Sequence, residues 1–190
     1  MANTSQDKPI PWKNHGSKTA YKDRMHIMRH DVELPNGDHM FYDVDHSDGF
    51  AVCVLIKTPN NEIVVSHQYR FPLNRWIYDL PSGGSEPGEN AEAAARRECQ
   101  EEVGIIPKKL VKLMKFYPTP GRGNWPIHVF YCEDFEEGEK DSNNPAEHVE
   151  KLLMPAAKLQ ELIDKQEIVD SSLLIAWYAA RDRGFIKPSL

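Results

Sequence analysis

Short runs in which apolar and polar positions alternate dominate the first half of the chain. Arg24–Leu34 and His39–Asp45 show this alternation around the turn Pro35-Asn36-Gly37-Asp38. The pattern predicts a β-hairpin, because Asn-Gly readily adopts the positive φ angles of a tight turn. Phe50–Thr58 is an almost continuous apolar run, typical of a strand that is buried on both faces. Two more strands are predicted in this half, Ile63–Tyr69 and Trp76–Leu80.

The second half of the chain opens with a helical pattern. Apolar residues recur at four-residue steps between Ala91 and Val103, which predicts a helix from about Asn90 to Val103. The order of strands, helix, strands and helices predicts an α+β fold with a mixed sheet. The later predicted elements are the strands Leu110–Tyr117, Ile127–Phe135 and Val149–Met154, the helix Ala156–Gln166, and a helix with Ser171 or Ser172 as its N-cap and Gly184 as its C-cap.

The expected domain organisation has three parts. Residues 1–16 are polar and interrupted by proline, and we expect a flexible tail there. Residues 17–48 contain the hairpin and are expected to form a small N-terminal β subdomain. Residues 49–190 are expected to form the main domain, since 190 residues suit one domain with a small appended piece.

Composition excludes several classes of partner. No apolar run approaches the ~20 residues that cross a bilayer, and the N-terminus lacks the apolar segment of a secretory signal. The three cysteines show no C-x-x-C spacing and are expected to be reduced, which favours the cytoplasm. A net charge of −6 argues against binding to a nucleic-acid backbone. We therefore expect a small-molecule partner and neither a membrane nor a nucleic acid.

Three acids of the predicted helix form an unusual group. At roughly 100° per residue, Glu98, Glu101 and Glu102 lie on or beside the apolar face. No lysine or arginine follows any of them at three or four residues, so none is placed to pair with them in the usual helical way. A solvated acidic helix end is the simpler alternative, but negative charge is disfavoured toward the C-terminal half of a helix. Because a carboxylate facing the core must be paired or bound to metal, the pattern favours a divalent-metal site.

The segment from Gly83 to Ile105 fits the signature G-x5-E-x7-R-E-u-x-E-E-x-G-u, where u is a bulky aliphatic residue. By this match the chain resembles the Nudix hydrolases. The resemblance implies a mixed sheet between helices, with this loop–helix–loop as a magnesium site. The fixed positions are Gly83, Glu89, Arg97, Glu98, Glu101, Glu102 and Gly104, and the u positions hold Cys99 and Ile105.

Flanking segments are similar to the ADP-ribose (ADP-sugar) pyrophosphatase branch of that family. They are Gln68-Tyr69-Arg70, Tyr78-Asp79-Leu80-Pro81-Ser82-Gly83, Ser85-Glu86-Pro87-Gly88-Glu89 and Phe116-Tyr117-Pro118-Thr119-Pro120-Gly121. This similarity implies hydrolysis of ADP-ribose to AMP and ribose 5-phosphate by a homodimer, with Mg²⁺ as cofactor and Mn²⁺ as a substitute. The alternatives are hydrolysis of a GDP- or UDP-sugar or an oxidised nucleotide, or a non-catalytic nucleotide-sugar sensor.

The resemblance also assigns roles around the metal. It implies that Glu98 and Glu102 are direct ligands and that Glu101 shares a metal or holds a metal-bound water. The carbonyl of Ser82 is expected to complete the ligand set. Glu89 is expected to orient Arg97 through an ion pair across the loop. Gly83 and Gly104 are assigned structural roles within the signature.

For the substrate contacts and the general base, the sequence leaves more than one interpretation open. Arg70 is either a ligand of the diphosphate or a surface arginine. The loop after Gly121 lacks the acidic residue usual in the branch and instead offers Arg122 for a phosphate and Trp125 for a base or sugar, unless both only pack the loop. The general base is expected in the loop 136–150, as Glu147 or, alternatively, Glu150.

Overall fold

The computed structural model of the protein describes residues 10–140 and 149–187, and these fall into two units. The smaller unit comprises the residues up to Asp48 together with Thr119–Asn124. The larger unit comprises Gly49–Pro118 and the residues from Trp125 onward. In the described ranges, no helix is long and apolar enough to cross a membrane.

The smaller unit is a three-stranded antiparallel sheet in the order β1-β2-β3, formed by Lys13–Lys22, His26–Glu33 and His39–Asp45. The predicted hairpin is confirmed as β2 and β3. Strand β1 was not predicted, and it begins at Lys13, within the stretch expected to be a flexible tail. All ten residues of β1 are exposed, so the strand carries no apolar alternation and is held by backbone pairing with β2.

The segment Thr119–Asn124 is bonded to the third strand of this sheet, although the sequence placed it in the main domain. The Tyr42 hydroxyl donates to the carbonyl of Gly121 at 2.6 Å. The amide of Asp45 donates to the carbonyl of Arg122 at 2.7 Å. These bonds join residues about 80 positions apart in the chain, a pairing that no local pattern reveals.

The larger unit is built on a seven-stranded mixed sheet in the order β10-β5-β4-β9-β8, with β6 pairing with β5 and β7 with β4. Strand β4 runs parallel to β9, and the other pairs are antiparallel. The mixed sheet expected from the element order is therefore confirmed. Its strands are β4 (Ala51–Lys57), β5 (Glu62–Arg70), β6 (Arg75–Asp79), β7 (Ser82–Gly84), β8 (Ile105–Phe116), β9 (Ile127–Glu137) and β10 (Val149–Pro155).

Helices cover both faces of this sheet. They are α1 (Ala91–Val103), α2 (Ala156–Asp164) and α3 (Ser171–Asp182). On β4, Val52 and its alternate neighbours share a core with Cys99 of α1. Leu55 points the other way and shares a core with Leu159 of α2 and Trp177 of α3. The apolar run of β4 thus serves two cores, as expected for a strand with no solvent-facing side.

The N-terminus of α3 differs from the expectation. Its N-cap is Asp170, whose carboxylate accepts a hydrogen bond from the amide of Leu173 at 2.7 Å. Ser171 and Ser172 already belong to the helix. Aspartate caps helices as well as serine does, so the sequence alone offers three adjacent candidates and no rule to choose among them.

Candidate active site

Helix α1 is fixed at both ends by residues of the signature region. Asn90 is the N-cap, and its side-chain oxygen accepts from the amides of Glu92 and Ala93 at 3.0 Å each. Gly104 ends the helix in the left-handed region at φ 65°. A Cβ added at Gly104 would lie 2.9 Å from the carbonyl oxygen of Gly138, so glycine is required there for both conformation and space. The N-cap and the terminating glycine fix where the helix begins and ends, and therefore the direction in which each of its side chains points.

Glu98 lies against the glycine strand β7. Its exposed fraction is 8%, and a Cβ added at Gly83 would overlap the Glu98 carboxylate itself. Strand β7 is held in place by antiparallel pairing with β4, in which Gly83 lies opposite Val52. The signature glycine therefore makes room for a buried carboxylate next to the backbone.

Glu102 is half-buried one turn further along the same face. The amide of Ser82 donates to Glu102 Oε2 at 3.0 Å, and the Ser66 hydroxyl lies 3.5 Å from the same oxygen. Burial above all, together with the nearby charges of Glu98 and Asp79, raises the pKa of Glu102 to about 8, while the Ser82 amide and the charge of Arg70 oppose the shift. The structure thus places Ser82 beside a metal-ligand candidate, and the role of its carbonyl stays a prediction.

Arg97 is the cation of the site. Its Nη1 lies 2.7 Å from Glu98 Oε1 and 2.9 Å from Glu101 Oε2. The expected ion pair with Glu89 is present, with Nη2 at 3.1 Å from Glu89 Oε2. Nη2 also donates to the carbonyl of Gly84 at 2.8 Å. Contact with Glu89 is the main reason that the pKa of Arg97 is raised above its ordinary value.

These contacts correct the expectation that the three acids have no arginine partner. Arg97 precedes Glu101 by four residues and Glu98 by one. It was missed because the sequence analysis considered only residues that follow the acids by three or four positions. In the described part of the chain, the oxygens of Glu98, Glu101 and Glu102 do not all lie within 4.8 Å of one another. Arg97 instead binds two of the acids, while the raised pKa of Glu102 favours its protonated form at neutral pH.

The three carboxylates suit a hard divalent cation. They offer only oxygen ligands, and two of them are largely withdrawn from water. A buried carboxyl with a raised pKa binds either a proton or a metal ion, and the metal ion neutralises more of the neighbouring negative charge. The residues present therefore fit the group that the signature implies.

A second polar cluster was missed by the sequence analysis. Asp79 is 2% exposed and binds the guanidinium of Arg70 and the side-chain amide of Gln68. Asp170 interacts with Asp79, and burial followed by that like charge raises the pKa of Asp170 to about 6. The sequence feature that could have revealed this cluster is the single aspartate between Tyr78 and Leu80, at the end of an apolar strand.

The remaining predicted residues are placed as follows. Arg70 is half-exposed and held by Asp79, which fixes the direction of its guanidinium. Arg122 is exposed in the smaller unit, whereas Trp125 packs against the core shared by α2 and α3. Glu150 lies on β10 and is 3.1 Å from His67 Nδ1. Glu147 lies outside the described residues.

Comparisons with known proteins identify the family of the chain. A family model described as the NUDIX domain matches residues 48–176. The chain belongs to the Nudix family. It is a Nudix hydrolase, an enzyme that hydrolyses the diphosphate bond of nucleoside diphosphate derivatives.

Two relatives and one solved structure illustrate the similarity. An ADP-ribose pyrophosphatase of Bacillus subtilis (strain 168) is 37% identical over 150 residues, which cover 77% of this chain and 79% of that protein. A methanol dehydrogenase activator of Bacillus methanolicus is 32% identical over 147 residues, covering 77% and 79%. The crystal structure of an ADP compounds hydrolase superposes with a TM-score of 0.83 at 19% identity, covering 93% of this chain and 95% of that one, which shows the shared fold.

Replacing Gly83 by alanine tests the contact with Glu98. The added methyl group overlaps the buried carboxylate, so we expect the free energy of unfolding to fall by about 1–3 kcal/mol. Displacement of Glu98 should lower kcat/KM by about 10- to 100-fold. Gly84→Ala is the matched control, because a Cβ there meets no atom within 4 Å. Chemical denaturation and steady-state kinetics measure both effects, and equal behaviour of the two variants would contradict the assignment.

Asp170→Asn tests the second cluster. The folded pKa of about 6 exceeds the ordinary 3.8, so the carboxyl stabilises the fold fully below about pH 4, and this stability is lost as pH rises through 6. Asparagine keeps the cap and removes the titration. Relative to the unmodified protein, we expect the free energy of unfolding of the variant to be about 1–3 kcal/mol more favourable at pH 7.5 than at pH 4.5.

Urea denaturation at the two pH values measures this gain. Asp182→Asn, an exposed change on the same helix, is the control and should show no such difference. A gain of equal size at both pH values would contradict the raised pKa of Asp170.

Proposed function

We propose that the protein hydrolyses the diphosphate bond of a nucleoside diphosphate sugar in a Mg²⁺-dependent reaction, with ADP-ribose giving AMP and ribose 5-phosphate. The observation that carries the proposal is the pair of carboxylates, buried Glu98 and half-buried Glu102, packed against the Ser82–Gly83 backbone. The name of the B. subtilis relative, ADP-ribose pyrophosphatase, supports the substrate.

Glu98 and Glu102 are proposed as direct ligands of Mg²⁺, with Glu101 and the carbonyl of Ser82 completing the set and Mn²⁺ as a substitute. When bound, a divalent ion neutralises phosphoryl oxygens and lowers the pKa of the attacking water. Before binding, the pKa of about 8 favours the protonated form of Glu102 at pH 7. A divalent ion held by Glu102 would require the release of that proton.

The protein's own cations orient the substrate and the ligands. Arg97, held by Glu89, fixes the carboxylates of Glu98 and Glu101 in direction. Arg70 is oriented by Asp79 and keeps further N–H donors for a diphosphate oxygen. Arg122 as a phosphate ligand and Trp125 as a stacking ring stay predictions, and the packing of Trp125 on a core supports a structural role for that ring.

A homodimer in the cytoplasm completes the proposal. The exposed edge strand β1 offers unpaired backbone groups to a second chain. All three cysteines are free and buried, which supports a reducing compartment.

Product identification tests the proposal. The protein is incubated with Mg²⁺ and ADP-ribose, other nucleoside diphosphate sugars and nucleoside triphosphates, and the products are separated by chromatography. AMP and ribose 5-phosphate from ADP-ribose, abolished by a chelator, are the expected result. Faster turnover of another sugar nucleotide would reassign the substrate. Binding without turnover would favour a regulatory role, as in the relative named methanol dehydrogenase activator.

Glu98→Gln and Glu102→Gln should each lower kcat by about 100-fold or more, because a neutral amide is a poor ligand for Mg²⁺. Glu92→Gln, on the exposed side of the same helix, is the matched control and should retain activity. Circular dichroism confirms that the helix is intact. Near-normal turnover in both site variants would rule out the metal assignment.

Glu147→Gln should reduce kcat by about 10²–10⁴-fold with little change in KM if Glu147 is the general base. Glu150→Gln serves as the comparison, since Glu150 is the alternative base and contacts His67. The variant with the larger loss of kcat identifies the base. If neither variant loses kcat, the base lies elsewhere in the chain.

A further inference from the structure

The smaller unit carries a group of metal-ligating side chains that the active site does not use. His15 lies on β1, Glu33 on β2 and His39 on β3. One potential ligand atom from each lies within 4.8 Å of the other two, and among the described residues no other group of three histidine, cysteine or acidic side chains does so. His15 lies 18 positions before Glu33, and Glu33 and His39 lie on either side of the turn between β2 and β3, so their meeting is a product of strand pairing.

Strand register explains how they meet. Glu33 lies directly opposite His39 on β3 and opposite Lys13 on β1, and residues directly opposite each other point to the same face of a sheet. The pairing of β1 with β2 then shifts between Asn14 and Gly16, which leaves His15 as an extra residue in a bulge. A bulge redirects a side chain, and here His15 Nε2 lies 2.9 Å from Glu33 Oε2.

A neighbouring carboxylate orients the second histidine. Asp31 Oδ1 lies 3.1 Å from His39 Nδ1. This contact leaves Nε2 of His39 as the nitrogen available to a ligand. A carboxylate on the far nitrogen of a ligating histidine fixes the ring and raises its basicity, and such partners recur in protein metal sites.

We propose that His15, Glu33 and His39 form a Zn²⁺ site on the three-stranded sheet, with Asp31 orienting His39. Two imidazoles and one carboxylate are a ligand set that zinc takes in proteins, with water in the remaining position. The ion would link all three strands. It would fix β1 above all, since each residue of that strand is exposed and its side chains contribute little packing.

The competing explanation is a network of cross-strand ion pairs. Lys13 Nζ lies 2.7 Å from Glu33 Oε1, and histidine pairs with the other oxygen. Exposed pairs of this kind contribute little to stability. In this network Lys13 contacts Oε1 of Glu33, whereas Oε2 lies beside His15. A metal ion bound at Oε2 therefore does not displace Lys13.

Zinc titration of the full chain separates the two explanations. Chelator-treated protein is titrated with Zn²⁺ by calorimetry in excess Mg²⁺, which occupies the oxygen ligands of α1. The unmodified protein should bind one Zn²⁺ at this site, and His15→Ala or His39→Ala should weaken that binding by at least about 100-fold. Asp31→Asn should weaken it by about 10- to 100-fold, as expected for loss of an orienting carboxylate.

His30→Ala is the matched control. His30 belongs to the same strand as Glu33 but points to the other face, where its ring contacts Asn14 at 3.1 Å. This variant should bind Zn²⁺ as the unmodified protein does. Equal zinc affinity in His15→Ala, His39→Ala and His30→Ala would overturn the site, as would an unmodified protein that binds no Zn²⁺ in excess Mg²⁺.

Hydrogen exchange supplies a second readout that does not depend on activity. Zn²⁺ should slow amide exchange along β1 in the unmodified protein and in His30→Ala, and not in His15→Ala. Exchange along β1 that is unchanged by Zn²⁺ in the unmodified protein would overturn the claim that the ion links the strands.

Discussion

The burial of the Glu98 carboxylate against the backbone of β7 is the constraint on which the rest of the site depends. It requires glycine at position 83, because any Cβ there would overlap the carboxylate. It also requires β7 to pair with β4 and α1 to begin at Asn90. Starting the helix one residue later or earlier would rotate its side chains by about 100° and turn the carboxylate away from the strand.

Two different means keep the like charges of α1 tolerable. Arg97 neutralises Glu98 and Glu101 directly and is itself held by Glu89 and the carbonyl of Gly84. Glu102 instead accepts from the Ser82 amide, and burial raises its pKa to about 8, which favours the uncharged form at neutral pH. In the proposed function, a divalent ion would take the place of that proton. The arrangement of Arg97 and Glu102 thus balances the negative charge of α1.

The sequence predicted the elements whose burial is periodic and missed those held by backbone pairing or by distant partners. Helix α1 and strand β4 carry apolar patterns that follow from their packing, and both were predicted closely. Strand β1 has no buried residue to generate a pattern. The link between Arg70 and Asp79 depends on β5 pairing with β6, and a chain pattern does not reveal which side chains meet across strands. Arg97 was missed as the partner of Glu101 for a different reason, because this i,i+4 pair within α1 has its arginine N-terminal to the acid.

Ligand chemistry separates the two candidate metal sites of the chain. The acids of α1 offer oxygen alone, which suits Mg²⁺ because that ion prefers hard oxygen ligands and keeps several waters. His15 and His39 offer nitrogen, which suits Zn²⁺. Mg²⁺ is therefore disfavoured at the imidazole site by ligand type, whereas Zn²⁺ also binds carboxylates and must be kept from the acids of α1 by excess Mg²⁺. Since the imidazoles come from strands and the acids from a helix, the proposed zinc would act on the stability of the three-stranded sheet and the proposed magnesium on the chemistry at α1.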